Sequence, residues 1–408
     1  MRLQLHNIKK YLLIFLSLIV FYLVSLFIVY SLPNETIQRN YEDSLMIIER
    51  EGDYPLVSFG GTTAARLDNF TDRVMLQGTI KDEKVSILKA SHNVRNYPRY
   101  WHGYQLFLRP LLLVMGYANI RYINMFFILT LLILAFSDIK KRLGTLDAFS
   151  FLLSMAMIYV VIFPMSMQFT TSFAVAMLAI LGVGQLAKHQ RMEELGYLFF
   201  ISGSVVNFVD FLTYPLITLG LPLVYSILLK NKYEKDARLS NNLQLVISSS
   251  FIWGIAYAFT WVSKWILSSL ILQKNVLGDA IGQAAFRTTG SSETVEVSAL
   301  RALQDNFELM FAGPGFKLAL VFFLFWLITW LFFHKPLKES GKYVPLLLIS
   351  VFPYFWYIVL ANHSVFHYWF TYRNQAVTVF AILSFLVALI DLEKLKNFLL
   401  YHRKISSR

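Results

Sequence analysis

Cysteine is absent from the 408 residues, which excludes disulfides and thiolate metal sites at once. Charge is scarce as well: Asp, Glu, Lys and Arg make up 15% of the chain, against 56% hydrophobic and 16% aromatic residues. That is far too little polar surface for an ordinary soluble domain of this length. There is no Walker A sequence and no Asp-x-Asp pair of the kind used by soluble nucleotide-sugar transferases. Gly182-Val183-Gly184-Gln185-Leu186-Ala187 matches a dinucleotide fingerprint only loosely, and it closes an apolar run instead of joining a strand to a helix, so it does not argue for a Rossmann site.

What the chain does have is long runs without charge. Tyr11 to Asn34, Met155 to Ala187 and Leu318 to Phe333 are examples, and at ~1.5 Å per residue such runs span most or all of ~30 Å of hydrocarbon. Mean hydropathy is +0.53. The expectation is an all-α polytopic membrane bundle forming a single membrane-embedded domain over 1–408, with about ten spans. Two long outer segments interrupt it, 31–121 with interfacial helices and 263–315.

The formal charge of +12 is a topology signal once it is distributed over the connections. Segments placed inside hold a net +11 and those placed outside +1. The bias sits in short connections such as Lys140-Lys141-Arg142, Lys230 to Arg238 and Lys394 to Arg408, as the positive-inside rule requires. Both termini are therefore expected in the cytoplasm and the protein in the cytoplasmic membrane as a multi-pass chain. No basic stripe with interleaved aromatics remains to suggest nucleic acid.

Candidate chemistry concentrates outside. In Asp68-Asn69-Phe70-Thr71-Asp72 two carboxylates four apart share a helical face; either could be a base, or an Asp could simply open the helix as its N-cap. Glu42, Asp43, Glu49, Glu51 and Asp53 compete with them in the same segment. Arg99, His102 and Arg109, around an amphipathic stretch Trp101 to Met115 read as an interfacial helix, suit a phosphate at the headgroup level. Asp210 stands among apolar residues between two spans, where an acid is expensive, though it could also cap the following helix. His363, His367 and Arg373 cluster in the last outer turn. Two histidines four apart can share a metal, but the Glu of a metalloprotease motif is missing; no metal is assigned, and Arg373 is the better phosphate ligand.

The order of features resembles the GT-C superfamily of membrane glycosyltransferases: a first span, a long acidic outer loop, an interfacial helix, then a bundle. The residues carrying it are Asp68-Asn69-Phe70-Thr71-Asp72, Tyr100-Trp101-His102-Gly103-Tyr104, the stretch Tyr104 to Asn124 with Gly116 and Arg121, and Asp210-Phe211-Leu212-Thr213-Tyr214-Pro215. The resemblance implies a polyprenyl-phosphate sugar as donor, an envelope glycan or lipid as acceptor, and inversion at the anomeric carbon. It also implies Asp72 or Asp68 as base, Arg99, Arg109 and Arg373 as phosphate contacts, and Asp210 as a hydrogen-bond partner for sugar or acceptor. A flippase of lipid-linked precursors and a non-catalytic envelope-assembly protein are the alternatives.

Overall fold

Charge-free runs become helices because in hydrocarbon every backbone N–H and C=O must be satisfied within the segment. The computed structural model describes residues 5–57, 62–234, 237–290 and 296–406. Gly60 and Gly61, which as a pair favour a turn in the first long segment, and Lys235 of the Lys230 to Arg238 run lie outside the described residues. The first span is α1 (Leu5–Tyr30). It shows most of its surface to lipid but buries Tyr22, whose ring stacks on Phe208 at 3.8 Å and whose hydroxyl meets Ser204 Oγ at 3.0 Å.

The first outer segment folds as short helices: α2 (Asn34–Glu51), α3 (Asn69–Gln77), α4 (Ile87–His92) and α5 (Gln105–Leu112). The interfacial helix expected over Trp101 to Met115 is shorter than that. Only the two turns of α5 are helical, and Trp101 and Arg109 are buried inside the bundle although Phe107 and Val114 stay exposed. Bonds to α11 help fasten this segment to the bundle: Trp101 Nε1 donates to the Thr260 carbonyl at 2.8 Å, and Trp265 Nε1 and Lys264 Nζ donate to the carbonyls of Arg99 and His92.

The bundle continues with α6 (Tyr117–Arg142), α7 (Thr145–Met157), α8 (Met167–Lys188), α9 (Leu195–Val209), α10 (Ile217–Tyr233) and α11 (Leu239–Leu272). Then come α12 (Val276–Thr289), α13 (Ala299–Phe311) and α14 (Pro314–Phe333). The chain ends with α15 (Leu337–Ser340), α16 (Pro345–Ser350), α17 (Phe352–Val359), α18 (Ala361–Phe366), α19 (Tyr368–Thr371), α20 (Ala376–Ala388) and α21 (Leu392–Ser406). No strand forms among the described residues; there are only isolated bridges.

Seven segments are long and apolar enough to cross a membrane: α1, α6, α8, α11, α14, Gly341–Val359 and Tyr368–Ala388. The other three expected spans correspond to α7, α9 and α10, of 13, 15 and 17 residues, or about 20–25 Å at ~1.5 Å per residue. Their ends nevertheless coincide with those of the long helices. At the end expected to face outward, called outer below, Asn124 of α6 bonds Thr170 of α8 at 2.7 Å, and at the opposite end, called inner, Gly184 of α8 lies against Asp138 and Arg142 of α6. Thus α6 and α8 run parallel, and α7 with the 3-10 turn Val160–Met165 returns between them. Asp210, after α9, meets Thr171 at the start of α8, while Tyr225 and Lys232 of α10 reach Asp138 and Arg142.

Two further departures have local causes. The seventh expected span does not stop near Val262; α11 runs 34 residues to Leu272 because Lys264, Trp265 and Ser268 are spent holding the outer segment. The last two long segments are broken. Pro345 and Pro353 each restart a helix at its first turn, where the missing N–H costs nothing. The carbonyls freed at such breaks find side chains, Thr378 Oγ1 to Ser350 O at 2.6 Å and Tyr357 Oη to Thr371 O at 3.0 Å.

Candidate functional site

The outer end of α8 gathers charged groups from three distant stretches. Helix N-termini carry unpaired N–H groups and partial positive charge, and Ser166, ahead of α8, makes no cap with its own side chain. Asp72 supplies it from α3. Its carboxylate accepts from Met167 N at 2.9 Å, Gln168 N at 3.0 Å, Ser166 Oγ at 3.2 Å and the Tyr117 hydroxyl. Burial still pushes its pKa up, although these bonds oppose the shift. Asp72 is a cap built across the fold, with its acceptor sites filled.

Asp68 opens α3 as an N-cap, accepting from Thr71 N at 2.9 Å and Thr71 Oγ1 at 3.0 Å. Among the described residues its carboxylate has no other hydrogen-bond partner, so acceptor capacity remains on both oxygens. Burial pushes its pKa up to about 6, the Asp72 charge adding to the rise while Thr71 and the Arg373 guanidinium oppose it. Glu51, a competitor in the same segment, is paired bidentately with Arg121 at 2.5 and 2.7 Å and touched by Asn69. Burial would raise it, but Arg121 holds it below the usual carboxylate range.

Asp210 follows α9 in an extended conformation. One carboxylate oxygen accepts from Thr213 N at 2.8 Å, and the other makes a long contact of 3.5 Å to Thr171. The turn it closes precedes α10, and Leu212 within it is left-handed at φ 67°. Burial raises the Asp210 pKa to about 6 against its bonds to the turn. The Leu212 carbonyl accepts from His363 Nε2 at 2.8 Å, which leaves His363 Nδ1 to accept from Arg287 at 2.6 Å.

The remaining sequence candidates separate by what their donors already touch. Arg109 gives Nε to Val29 O at 2.8 Å and its two other nitrogens to Thr79 O and Leu32 O; it caps the end of α1 and faces no open space. Arg99 is paired with Asp279 at 2.5 Å and lies over the Tyr97 ring. His102, at φ 58°, is locked between Tyr97 O and the Tyr104 hydroxyl. His363 has both nitrogens engaged, whereas His367 keeps Nδ1 without a partner, its ring 4.8 Å from that of His363. Arg373 is fully buried on the Phe169 ring at 4.0 Å, donates to the carbonyls of Trp369 and Ala64, and leaves Nε unpaired.

Two cations escaped the sequence reading. Arg66 lies over Trp369 at 5.6 Å with Nε buried and unpaired, and Tyr54 stands 5.4 Å from the same indole. Arg287 of α12 donates to His363 Nδ1 at 2.6 Å. Neither belongs to a motif; both are recognised only by what folding places beside them.

Buried polar atoms without partners crowd this layer: Gln168 Oε1, Ser172 Oγ, both side-chain atoms of Asn207, His367 Nδ1, Trp369 Nε1, Arg373 Nε and Asn374 Nδ2. Buried groups are nearly always satisfied by protein, water or ligand. Among the described residues no group of three or more His, Cys, Asp or Glu could hold a metal ion. Comparison with protein families, with curated proteins and with solved structures finds no match.

Proposed function

We propose that the chain is a membrane glycosyltransferase that moves a sugar from a polyprenyl-phosphate donor to an envelope glycopolymer or glycolipid on the outer face of the cytoplasmic membrane. The observation that carries this reading is Asp68, a buried carboxylate with spare acceptor sites, poised near neutrality, beside Arg373 in a layer of unpaired polar groups. A base of that kind takes the proton of the acceptor hydroxyl as its oxygen attacks the anomeric carbon. The bond from that carbon to the phosphate oxygen breaks, and polyprenyl phosphate leaves as an anion needing no proton. Attack opposite the leaving group inverts the anomeric centre.

Arg373 and Arg66 are the cations with donors left over, and they stabilise the charge on the departing phosphate. Arg109 and Arg99 serve the scaffold in this scheme, and Asp72 holds α3 against α8. Asp210 and His367 bind hydroxyls of sugar or acceptor. The GT-C resemblance supports the same chemistry through the order of its segments. In this reading α7, α9 and α10 add three crossings to the seven long segments, which puts both termini on one side, and the basic connections assign that side to the cytoplasm. The chain lacks cysteine, so single cysteines report topology without background: Lys84→Cys should react with an impermeant maleimide in intact cells and Glu393→Cys should not. Equal labelling overturns the orientation.

The deciding experiment is mass analysis of envelope glycopolymers with and without the gene. A missing sugar branch with intact backbone polymer is expected. Accumulation of intact precursor on the cytoplasmic side would instead establish a flippase and sink the transferase reading.

A further inference from the structure

A second polar feature lies on the outer side, away from the start of α8. Lys81, Lys89 and Arg95, from one run of the first long segment, and Lys274, just after α11, line one groove of about 450 Å³, where Asp82 is the only carboxylate in the lining. Among the described residues none of the four forms an ion pair. Lys81 Nζ donates to the Tyr30 carbonyl at 3.0 Å and Arg95 to the Gln77 side chain, neutral acceptors that leave the positive charge standing. Topology does not account for it, because the positive-inside rule places excess cations on the other side, and the segments expected outside carry only +1 in all.

The backbone is unusual here too. Arg95 and Asn96 are consecutive non-glycine residues in the left-handed region, at φ 52° and 58°, a conformation that persists only where its surroundings impose it and that collects at ligand sites. A bond from Asn93 Nδ2 to Asn96 Oδ1 at 3.0 Å closes the turn. The rest of the wall is apolar, with Ile80, Val85 and Val94 beside Tyr30 at the end of α1 and Leu272 at the end of α11. An apolar wall under a cationic rim, at the level where two spans end, has the polarity profile of the lipid headgroup region.

We infer that this groove binds the phosphate diester of an anionic lipid in the outer leaflet, at a site separate from the one around Asp68. Lysine and arginine give a phosphate charge-assisted hydrogen bonds, and the apolar wall takes the first part of the acyl chains. The inference does not depend on sugar transfer.

The test uses the full chain in nanodiscs of mixed phosphatidylglycerol and phosphatidylcholine, with retained lipid counted by native mass spectrometry. The parent should keep phosphatidylglycerol in preference. Lys89→Gln with Lys274→Gln, two exposed side chains, should lower that retention about tenfold, the loss expected of a charged hydrogen bond, with an unchanged thermal transition. Lys89→Arg with Lys274→Arg should restore it, which a mere folding defect would not allow. Equal retention by parent and Gln variant overturns the site. Displacement of the lipid by millimolar inorganic phosphate would show a site for the free ion and overturn the lipid assignment.

Discussion

The two ends of α8 hold acidic clusters of opposite character. At the inner end Asp138 accepts from Arg142 Nε at 2.9 and 3.1 Å and from the Tyr225 hydroxyl at 2.7 Å, while Lys232 covers the Arg142 carbonyl. A Cβ on Gly184 would fall 1.9 Å from Asp138 Oδ2, so the helices close on this knot with no room left. At the outer end Asp68 and Asp210 keep acceptor sites free, and Gln168, Asn207 and Arg373 keep atoms unpaired. A saturated polar cluster is a fastener. An unsaturated one retains desolvated groups whose partners must come from elsewhere, and that is the arrangement a binding site needs.

The contrast is sharpest between two residues one helical turn apart. Asp68→Asn should lower sugar transfer by ~10² to 10⁴, the usual cost of removing a general base, at matched membrane abundance. Asp72→Asn, where an amide can keep only some of the four bonds, should cost ~0.5–2 kcal/mol of stability, as a lost cap does, and leave transfer per folded molecule intact. Glu42→Gln should do neither. Transfer near the parental rate in Asp68→Asn would move the base to another outer carboxylate, Asp210 first.

The inner knot gives the next largest effect. Asp138→Ala strands Arg142 and Tyr225 in a site where both charged side chains are mostly covered, which should cost ~2–3 kcal/mol. Thermal unfolding of the purified protein should register that loss, with transfer per folded molecule unchanged. If well-folded Asp138→Ala protein is inactive, the inner cluster is no mere fastener and the distinction between the two ends fails.

Sequence made the spans legible because charge-free runs and basic inner loops are local features. It also singled out Asp68 and Asp72, and it offered a cap as one reading of an Asp there. It could not say which was which. The difference lies in the amides of Met167 and Gln168, 95 and 96 positions from Asp72, and no local pattern encodes a partner that far away. Arg109 read as a phosphate ligand for the same reason, since its acceptors on Val29 and Leu32 lie 80 and 77 positions back. Arg287 passed unnoticed in a segment without motif, its partner His363 being 76 residues on. Run length alone leaves α7, α9 and α10 short of a full span at 13, 15 and 17 residues; their paired helix ends, which only the fold supplies, give their direction.

The smallest effect concerns pH. Burial holds both Asp68 and Asp210 at about 6, above the ordinary aspartate value. A raised carboxylate pKa means that the folded chain binds the proton more tightly than the unfolded chain, so the associated stability is present below the unfolded pKa and is lost as pH rises through about 6. Activity must run the other way, because a base works only when deprotonated. Transfer should therefore rise about tenfold between pH 5 and pH 7, the change in ionised fraction of a group titrating near 6, while thermal stability declines over the same interval. Two carboxylates with one midpoint would confuse the assignment, so the profile is read again in Asp210→Asn. If Asp68 is the base, that variant binds acceptor less well but keeps the rise near pH 6. Should the rise disappear with Asp210 while Asp68→Asn retains it, the base sits on the turn after α9, and the layer around α8 works with the two acids in exchanged roles.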